Sequence, residues 1–313
     1  MLGLANFAMS GRYRALLVAV ASSGSLLFAW IGASVVALVT LRKGAGEGAW
    51  VLLWALLPAL LLTRISGDSS TLALLLGTSG LALTLRGSVN LPLTALCSAA
   101  VALVTGLALL LFGQELLGLL AEAFEEFFGA LAEQARRDGG AEVVLRPPTA
   151  LQLAGMMGTA NGALSFLCLS LARYWQSALF NPGGFGEEFR ALRFPPALVA
   201  GLLLAAATLA ALGFDFRSWA AALLLPLSIA GFALLHAWVR QSGQGSLWLT
   251  AAYLLWLVLD GAKLLLIGLV VIDAVADFRG RWARRRPAAG SGRQDDDEHT
   301  AGREDDDTQD KNE

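Results

Sequence analysis

Long apolar runs follow one another along almost the whole chain, and they restrict the fold to helices that cross a membrane. A helix needs about 20 apolar residues to cross a hydrocarbon core about 30 Å thick. Charged residues make up only 15% of the 313-residue sequence, against about 25% in a soluble domain. The sequence therefore predicts an all-α fold, a polytopic integral membrane helical bundle. The runs fall at residues 15–41, 49–63, 70–85, 91–113, 149–172, 196–214, 218–239 and 247–272.

Two of these runs, 49–63 and 70–85, are short for a transmembrane helix. Each has about 15 residues, which as a helix extend over about 23 Å. Pro58 in the first run, and Gly77 and Gly80 in the second, favour interrupted helices, so that the runs either cross the membrane fully or form one broken hairpin. We therefore expect six to eight transmembrane helices.

Basic residues in the connecting segments predict how the bundle is oriented. The stretch "RGRWARRR" at 279–286 follows the last run directly, and such arginine-rich stretches stay in the cytoplasm. Because six and eight are both even, the N-terminus is expected on the cytoplasmic side as well. This assignment places twelve basic residues inside, Arg12 and Arg14 among them, and six outside.

Residues 1–286 are predicted to form one transmembrane domain that carries a cytoplasmic helix at about 114–137. In this segment apolar residues recur every three or four positions, as on one face of a helix. The polar face is acidic and is repelled by an anionic membrane surface, so we expect the helix to pack on protein. Residues 287–313 are highly charged and poor in apolar residues, which predicts an acidic disordered tail or, alternatively, a segment that docks a protein partner.

Two opposite charges lie within the last apolar run. Asp260 and Lys263 are three residues apart and so share one face of a helix. A charge near the centre of a membrane costs about 2.5–3.5 kcal/mol unless it is paired. We therefore predict an intramembrane ion pair that faces the bundle interior or a watery cavity. It serves either a solute or proton site or the packing of the helices.

Polar residues also occur in two other runs. Asn161 lies among Gly155, Gly158 and Gly162, and small residues let helices approach closely while polar ones bond across the interface. The alternative for Asn161 is the lining of a polar cavity. His236, at the end of the seventh run, is interpreted as a hydrogen-bonded packing residue, with a proton relay as the alternative.

Evidence for catalysis is weak. The string "GTSG" at 77–80 has the GxSG form of intramembrane serine proteases, with His236 as a conceivable base. Four-residue strings of this kind arise by chance in spans rich in Gly and Ser. The sequence has no HExxH, P-loop or dinucleotide-binding pattern. We therefore predict no enzymatic activity, no catalytic residues, no metal, no cofactor and no nucleic-acid partner.

The connector "ARYWQSALFNPGGFGEEFRALRF" at 172–194 is polar and aromatic between two apolar runs. "NPGG" predicts the end of one helix and a turn. The residues after it predict a short helix with Phe185, Phe189 and Leu192 on one side. We call residues 173–195 the elbow, and expect it to lie on the outer face at the membrane interface or to form a lid over a cavity.

The elbow resembles the signature of the proteobacterial branch of the YybS-like predicted membrane protein family, a domain of unknown function numbered 2232. The N-terminal "FAMSGRYRALLVAV" and the closing "LVVIDAVADFRGRW" resemble the same family, so that the resemblance extends from about residue 5 to 283. This resemblance implies a multi-pass protein of the bacterial cytoplasmic (inner) membrane. It also implies a distant likeness to the substrate-binding subunits of energy-coupling-factor transporters. The family has no assigned activity.

The resulting hypothesis is that the chain binds a small solute or lipid-like ligand beneath the elbow. Transport would need a partner protein, because the sequence has no nucleotide-binding motif. The alternative is a non-catalytic membrane scaffold that holds envelope proteins through 114–137 and the acidic tail. The residues predicted to bind the ligand are Arg173, Tyr174, Trp175, Asn181, Glu188, Arg190 and Asn161.

Overall fold

Helices form nearly all of the secondary structure in the computed structural model, which describes residues 1–138, 146–243, 245 and 247–284. Within these residues there are fourteen α-helices, one 3-10 turn and no strand, which confirms the predicted all-helical fold. The elements are α1 (Leu2–Met9), α2 (Arg12–Ser23), α3 (Ala29–Lys43), α4 (Ala45–Ser66), α5 (Ser70–Ser88), α6 (Leu91–Phe112), α7 (Gln114–Arg137), α8 (Ala150–Phe180), α9 (Gly184–Ala191), α10 (Pro196–Ala211), the 3-10 turn (Phe214–Phe216), α11 (Arg217–Ser242), α12 (Leu247–Val258), α13 (Asp260–Ala276) and α14 (Phe278–Arg284).

The chain separates into two units. The first, Met1–Val275, contains the whole bundle, and the second begins at Ala276 and includes α14. The acidic tail predicted at 287–313 lies outside the described residues.

Four helical segments are long and apolar enough to cross a membrane: α4, α6, α8 and the 3-10 turn continued by α11. The number rises to six if each of two bent pairs counts as one span. These pairs are α9 with α10, bent by 69°, and α12 with α13, bent by 120°. The structure therefore supports four to six spans within its described residues, where six to eight were expected. Of the two alternatives for the runs 49–63 and 70–85, interrupted helices are not found, because α4 and α5 each run unbroken through Pro58, Gly77 and Gly80.

The first apolar run is a helical hairpin, so the prediction of one span over 15–41 is wrong. Residues 24–28 separate α2 from α3, and the two helices pack against each other. The Ser22 hydroxyl donates to the Val18 carbonyl (2.6 Å), and the Ser23 hydroxyl to the Val20 carbonyl (3.1 Å). These bonds turn both hydroxyls back onto the last turn of α2, where Gly24 ends the helix. With 12 residues, α2 is about 18 Å long, too short to cross a membrane.

Helix α3 forms the centre of the bundle. It packs against α2, α4, α5 and α8, and every residue from 32 to 41 is buried. A helix that is apolar on all sides is stable when neighbours surround it completely. Its C-terminal end is capped by Arg86 of α5, whose Nη1 donates to the carbonyls of Leu41 (2.8 Å) and Thr40 (3.3 Å). A cation is favourable at that end of the helix dipole.

Side-chain contacts bring the start of α2 and the elbow to one end of the bundle, which we call the elbow end. Arg42 at the end of α3 lies over the ring of Phe180 at the end of α8 (4.1 Å). Arg12 forms a salt bridge with Glu47, in the first turn of α4 (3.0 Å). The expectation that Arg12 and the elbow lie on opposite sides is therefore wrong. It rested on a single span over 15–41, whereas the hairpin returns the chain to the side from which it entered.

Helices α6 and α8 form a closely packed pair, as the glycines of "AGMMGTANG" predicted. A Cβ atom added at Gly158 would lie 2.8 Å from the Gly106 nitrogen, and one at Gly162 would lie 2.6 Å from the Ser98 carbonyl oxygen. Asn161 Nδ2 donates across the interface to Thr105 Oγ1 (2.9 Å). The prediction of close helix approach with a polar bond across the contact is confirmed.

The predicted amphipathic helix at 114–137 is confirmed as α7. Its first half packs against the start of α8, with Leu117 buried and Leu120 and Phe124 beside it. In its second half the side chains of Phe127 and Leu131 remain exposed. No other segment among the described residues therefore covers the second half of this apolar face.

Candidate ligand-binding cavity

The turn of the elbow is organised by Ser177. Its hydroxyl donates to the Asn181 carbonyl (2.7 Å) and accepts from the Phe185 amide (3.1 Å), which joins the end of α8 to the start of α9. Gly183 has a φ of +88°, a conformation that favours glycine. The Asn181 side chain lies directly over Gly184, where a Cβ atom would collide with it. The geometry of the turn therefore favours glycine at 183 and leaves little room for a side chain at 184.

An ion pair fixes α9 against α8. Arg173 Nε donates to Glu188 Oε2 (2.9 Å), and Arg173 Nη1 donates to Gln176 Oε1 (3.1 Å). The side chains of Arg173 and Glu188 are only 23% and 24% exposed. A charge-assisted bond shielded from solvent is stronger than an exposed one. The elbow is therefore held in place by a specific contact.

Beneath the elbow lies a cavity of about 410 Å³, enclosed by α8, α9, α11 and α12. Six of the fifteen residues that line it are Phe, Tyr or Trp. The rings of Phe232 and Tyr253 are stacked with their centres 4.4 Å apart, and Phe189 meets His236 edge-on at 5.4 Å. The volume is within the range of small-molecule sites, about 300–1,000 Å³. The remaining aromatic residues of the lining are Phe166, Phe185 and Trp256.

Several polar groups face this apolar space. Arg190 and His236 line the cavity, together with Ser170 and Trp256. The Ser170 hydroxyl and the Trp256 Nε1–H are buried and have no hydrogen-bond partner among the described residues. Leaving such a group unpaired costs about 1–3 kcal/mol. Both residues belong to the cavity wall, so each unpaired donor lies next to the cavity.

The cavity opens sideways, between α8 and α12. Leu167 and Tyr253 line it, and they are 62% and 42% exposed. Both residues belong to apolar helices whose outer surfaces suit a bilayer.

His236 is hydrogen-bonded, as predicted. Its Nδ1 is 2.8 Å from the Phe232 carbonyl. A carbonyl only accepts, so Nδ1 is the donor in this bond. The ring also contacts Tyr253 edge-on at 6.0 Å. The residue therefore both packs α11 against its neighbours and lines the cavity.

The seven predicted ligand-binding residues do not converge on one site. Arg190 alone of the seven lines the cavity beneath the elbow. Trp175 is completely buried in the packing of α8, three residues after the buried Ala172 on the same helix face. The others take structural or peripheral places: Arg173 and Glu188 pair with each other, Asn181 ends α8, Tyr174 is exposed and Asn161 lines a separate cavity.

The predicted ion pair between Asp260 and Lys263 is present, with Lys263 Nζ 2.7 Å from Asp260 Oδ1. Its predicted position is wrong, because the Asp260 side chain is 94% exposed and does not face the bundle interior. The cause is a break at Leu259, after which the chain bends by 120° and Asp260 begins a new helix. A carboxylate is favourable in the first turn of a helix. Lys263 also lies 5.8 Å from the ring centre of Trp256, on the cavity wall.

Sequence reasoning missed four side chains of this region: Ser170, Ser177, Phe232 and Trp256. Their order along the chain does not show that they share a neighbourhood, since they come from α8, α11 and α12. Only the spacing of Tyr253 and Trp256, three residues apart on one helix face, was a usable signal.

Comparison with known proteins found no matching family model, no matching curated protein and no matching solved structure.

Proposed function

We propose that this chain is a membrane-embedded binding protein for an amphiphilic molecule, which it holds in the cavity beneath the elbow. The observation that carries the proposal is the pair of unpaired donors, Ser170 and Trp256, inside an otherwise aromatic cavity. Aromatic walls suit an apolar body, and the donors together with Arg190 suit a head group with acceptor oxygens or an acidic group. No acidic side chain among the described residues lines the cavity. This lining also favours a ligand with acceptor oxygens or an acidic group.

The distribution of basic residues supports an orientation with the elbow end in the cytoplasm. In the first unit, apart from Lys263 in the last apolar run, nine arginines and lysines belong to segments at the elbow end and five to segments at the other end. Cytoplasmic segments carry the excess of Lys and Arg. We therefore propose that the start of α2 and the elbow face the cytoplasm, in the bacterial inner membrane that the family resemblance implies. The nine are Arg12, Arg14, Arg42, Lys43, Arg86, Arg173, Arg190, Arg193 and Arg240; the five are Arg64, Arg136, Arg137, Arg146 and Arg217.

A role in transport follows if a partner supplies the energy, because the sequence has no nucleotide-binding motif. The lateral opening supports uptake of the ligand from the bilayer. This role is compatible with the distant likeness to the substrate-binding subunits of energy-coupling-factor transporters, which remains part of the proposal.

The proposal is tested by extracting the purified full-length protein with organic solvent and analysing the extract by mass spectrometry. The wild type is expected to release one small molecule in stoichiometric amount. Ala163→Phe, which fills the cavity from α8, should release none. Ala207→Phe is the matched control, because Ala207 is an exposed residue of α10 outside this cavity. Equal release from both variants, or no molecule from the wild type, would overturn the proposal.

A second candidate, a scaffold for envelope proteins, is favoured by the exposed half of α7. Phe127 and Leu131 present apolar surface beside an acidic face on a helix that leaves the bundle. Substituting both residues with serine should release a partner protein from the purified complex while the bound small molecule is retained. If partners are unaffected by these substitutions, the scaffold role does not use α7.

A further inference from the structure

A second cavity, of about 240 Å³, lies at the tip of the α2–α3 hairpin. It is bounded by Leu26 of the hairpin turn and by residues of α5, α6 and α8, and it is separate in its lining from the cavity beneath the elbow. Its polar lining consists of the residues Ser69, Ser70, Thr71, Thr105 and Asn161. No charged side chain among the described residues lines it.

Two helices begin at the wall of this cavity. Ala29 is the first residue of α3, and Ser70 and Thr71 are the first two residues of α5; all three line the cavity. The N–H groups of a first helical turn have no partner within the helix, and the helix dipole makes this end positive. Two such ends facing one small space favour an anion. In membrane transporters, helices that begin within the bilayer serve anionic groups in this way.

An unpaired hydroxyl group provides independent support for a bound anion. Thr71 is 1% exposed, and its Oγ1 has no hydrogen-bond partner among the described residues. Threonine within a helix ordinarily donates to a carbonyl of the preceding turn, as Thr84 of the same helix does to Gly80 (2.9 Å). Thr71 lies in the first turn, where its hydroxyl is left for a ligand.

The charge of the ligand is limited by what surrounds it. The donors are all neutral, and a multivalent anion in such a site would lack compensating charge. Asp68 is the carboxylate nearest in sequence to this end of α5, where its Oδ1 accepts from the Ser70 amide (2.8 Å). This carboxylate does not line the cavity, and its charge opposes a second anion at the same helix end.

We infer that the cavity at the hairpin tip is a binding site for a small monovalent anion, such as a carboxylate or halide, held by the N-terminal ends of α3 and α5 and by the Thr71 hydroxyl. The site is independent of the ligand proposed for the elbow cavity. It gives the α2–α3 hairpin a function, because a full span at this position would bring no helix N-terminus into the bundle.

The test is isothermal titration of acetate, chloride and nitrate into the full-length protein in detergent at constant sodium concentration. We expect at least one of the three anions to bind. Thr71→Val should weaken its binding about tenfold through the loss of one hydrogen bond to an anion. Asp68→Asn should strengthen it, since a nearby negative charge is removed. Thr84→Val is the matched control and should bind as the wild type does.

Two results would overturn the inference. One is the absence of binding by all three anions in the wild type. The other is weaker binding in Asp68→Asn together with a wild-type heat signal that follows sodium when the titration is repeated with sodium varied at a constant anion concentration, since a cation site would need that carboxylate. Thr71→Val is not expected to unfold the protein, because valine has the shape of threonine and removes a buried unpaired hydroxyl. Its thermal unfolding, measured without added anion, should occur at or above the wild-type temperature.

Discussion

The close contact between α6 and α8 predicts that Gly158→Ala destabilises the bundle, although alanine is the better helix former. A Cβ atom at Gly158 would collide with the Ala102 carbonyl oxygen and lie 2.8 Å and 3.0 Å from the nitrogen and Cα of Gly106. All of these atoms belong to the backbone of α6, so no side chain can rotate away. The two helices would have to separate along their whole contact.

The size of the effect follows from two opposing contributions. Overpacking of this kind costs about 1–3 kcal/mol, and we place this site at the upper limit because the obstacle is backbone. Replacing glycine by alanine in a helix raises the free energy of unfolding by about 1 kcal/mol. The net loss in the free energy of unfolding is therefore about 2 kcal/mol. Gly80→Ala in α5 is the matched control, since no atom lies within 4 Å of its Cβ position, and it should stabilise the protein by about 0.5–1 kcal/mol.

The assay is equilibrium unfolding in mixed detergent micelles, followed by circular dichroism for the wild type and both variants. A difference of about 3 kcal/mol between the two alanine variants is expected from these contributions. If Gly158→Ala were as stable as Gly80→Ala, the described packing of α6 on α8 would be refuted.

Three further outcomes are expected. Arg86→Ala should lower the free energy of unfolding by about 1 kcal/mol, because the carbonyls at the end of α3 lose their cationic cap; an unchanged stability would exclude that role. Glu188→Gln should lower the free energy of unfolding by about 1–2 kcal/mol, because it breaks a mostly buried ion pair. The variant should also be cleaved faster by proteases within the elbow, and cleavage at the wild-type rate would contradict this role of the ion pair. Single cysteines at Ser10 and Asn181, in a background without the native cysteines, should react with an impermeant maleimide from the same side of the membrane, and one at Asp138 from the other side; labelling of Ser10 together with Asp138 would disprove the hairpin.

Elements with a strong local pattern were predicted well from the sequence. The helix over 114–137 has its apolar residues at regular spacing and its bounds are confirmed. The glycines at 155, 158 and 162 share a face of α8, and they lie against α6 as small residues should. In both cases the pattern is recognised from residues that are only one or two helical turns apart in the sequence.

The two breaks in the apolar runs could not be predicted in the same way. Apolar residues continue through "LLF" at 26–28 and up to Leu259. The hydrophobicity of the sequence therefore does not indicate either bend. At the first, the serine and glycine residues before Leu26 are the only local sign. The location of Asp260 was wrong for the same reason, since its depth was inferred from an uninterrupted helix.

A cavity beneath the elbow was expected from the sequence, but of the residues that line it only Arg190 was predicted to bind a ligand. A turn rich in aromatic and charged residues indicated the elbow, and the space beneath it is present. Its walls come from residues up to 93 positions apart in the sequence, from Ala163 to Trp256. Which face of each helix meets the others is decided by tertiary packing, for which the spacing of uniformly apolar spans contains little information.

The most direct test of ligand binding beneath the elbow is photocrosslinking in the native membrane. A benzophenone amino acid is placed at Leu167, on the rim of the cavity, and for comparison at Leu204, a similarly exposed leucine of α10. The account predicts one discrete small-molecule adduct at position 167, lost when Ala163→Phe is added, and only bulk lipid at position 204. The same mixture of bulk lipids at both positions would contradict it.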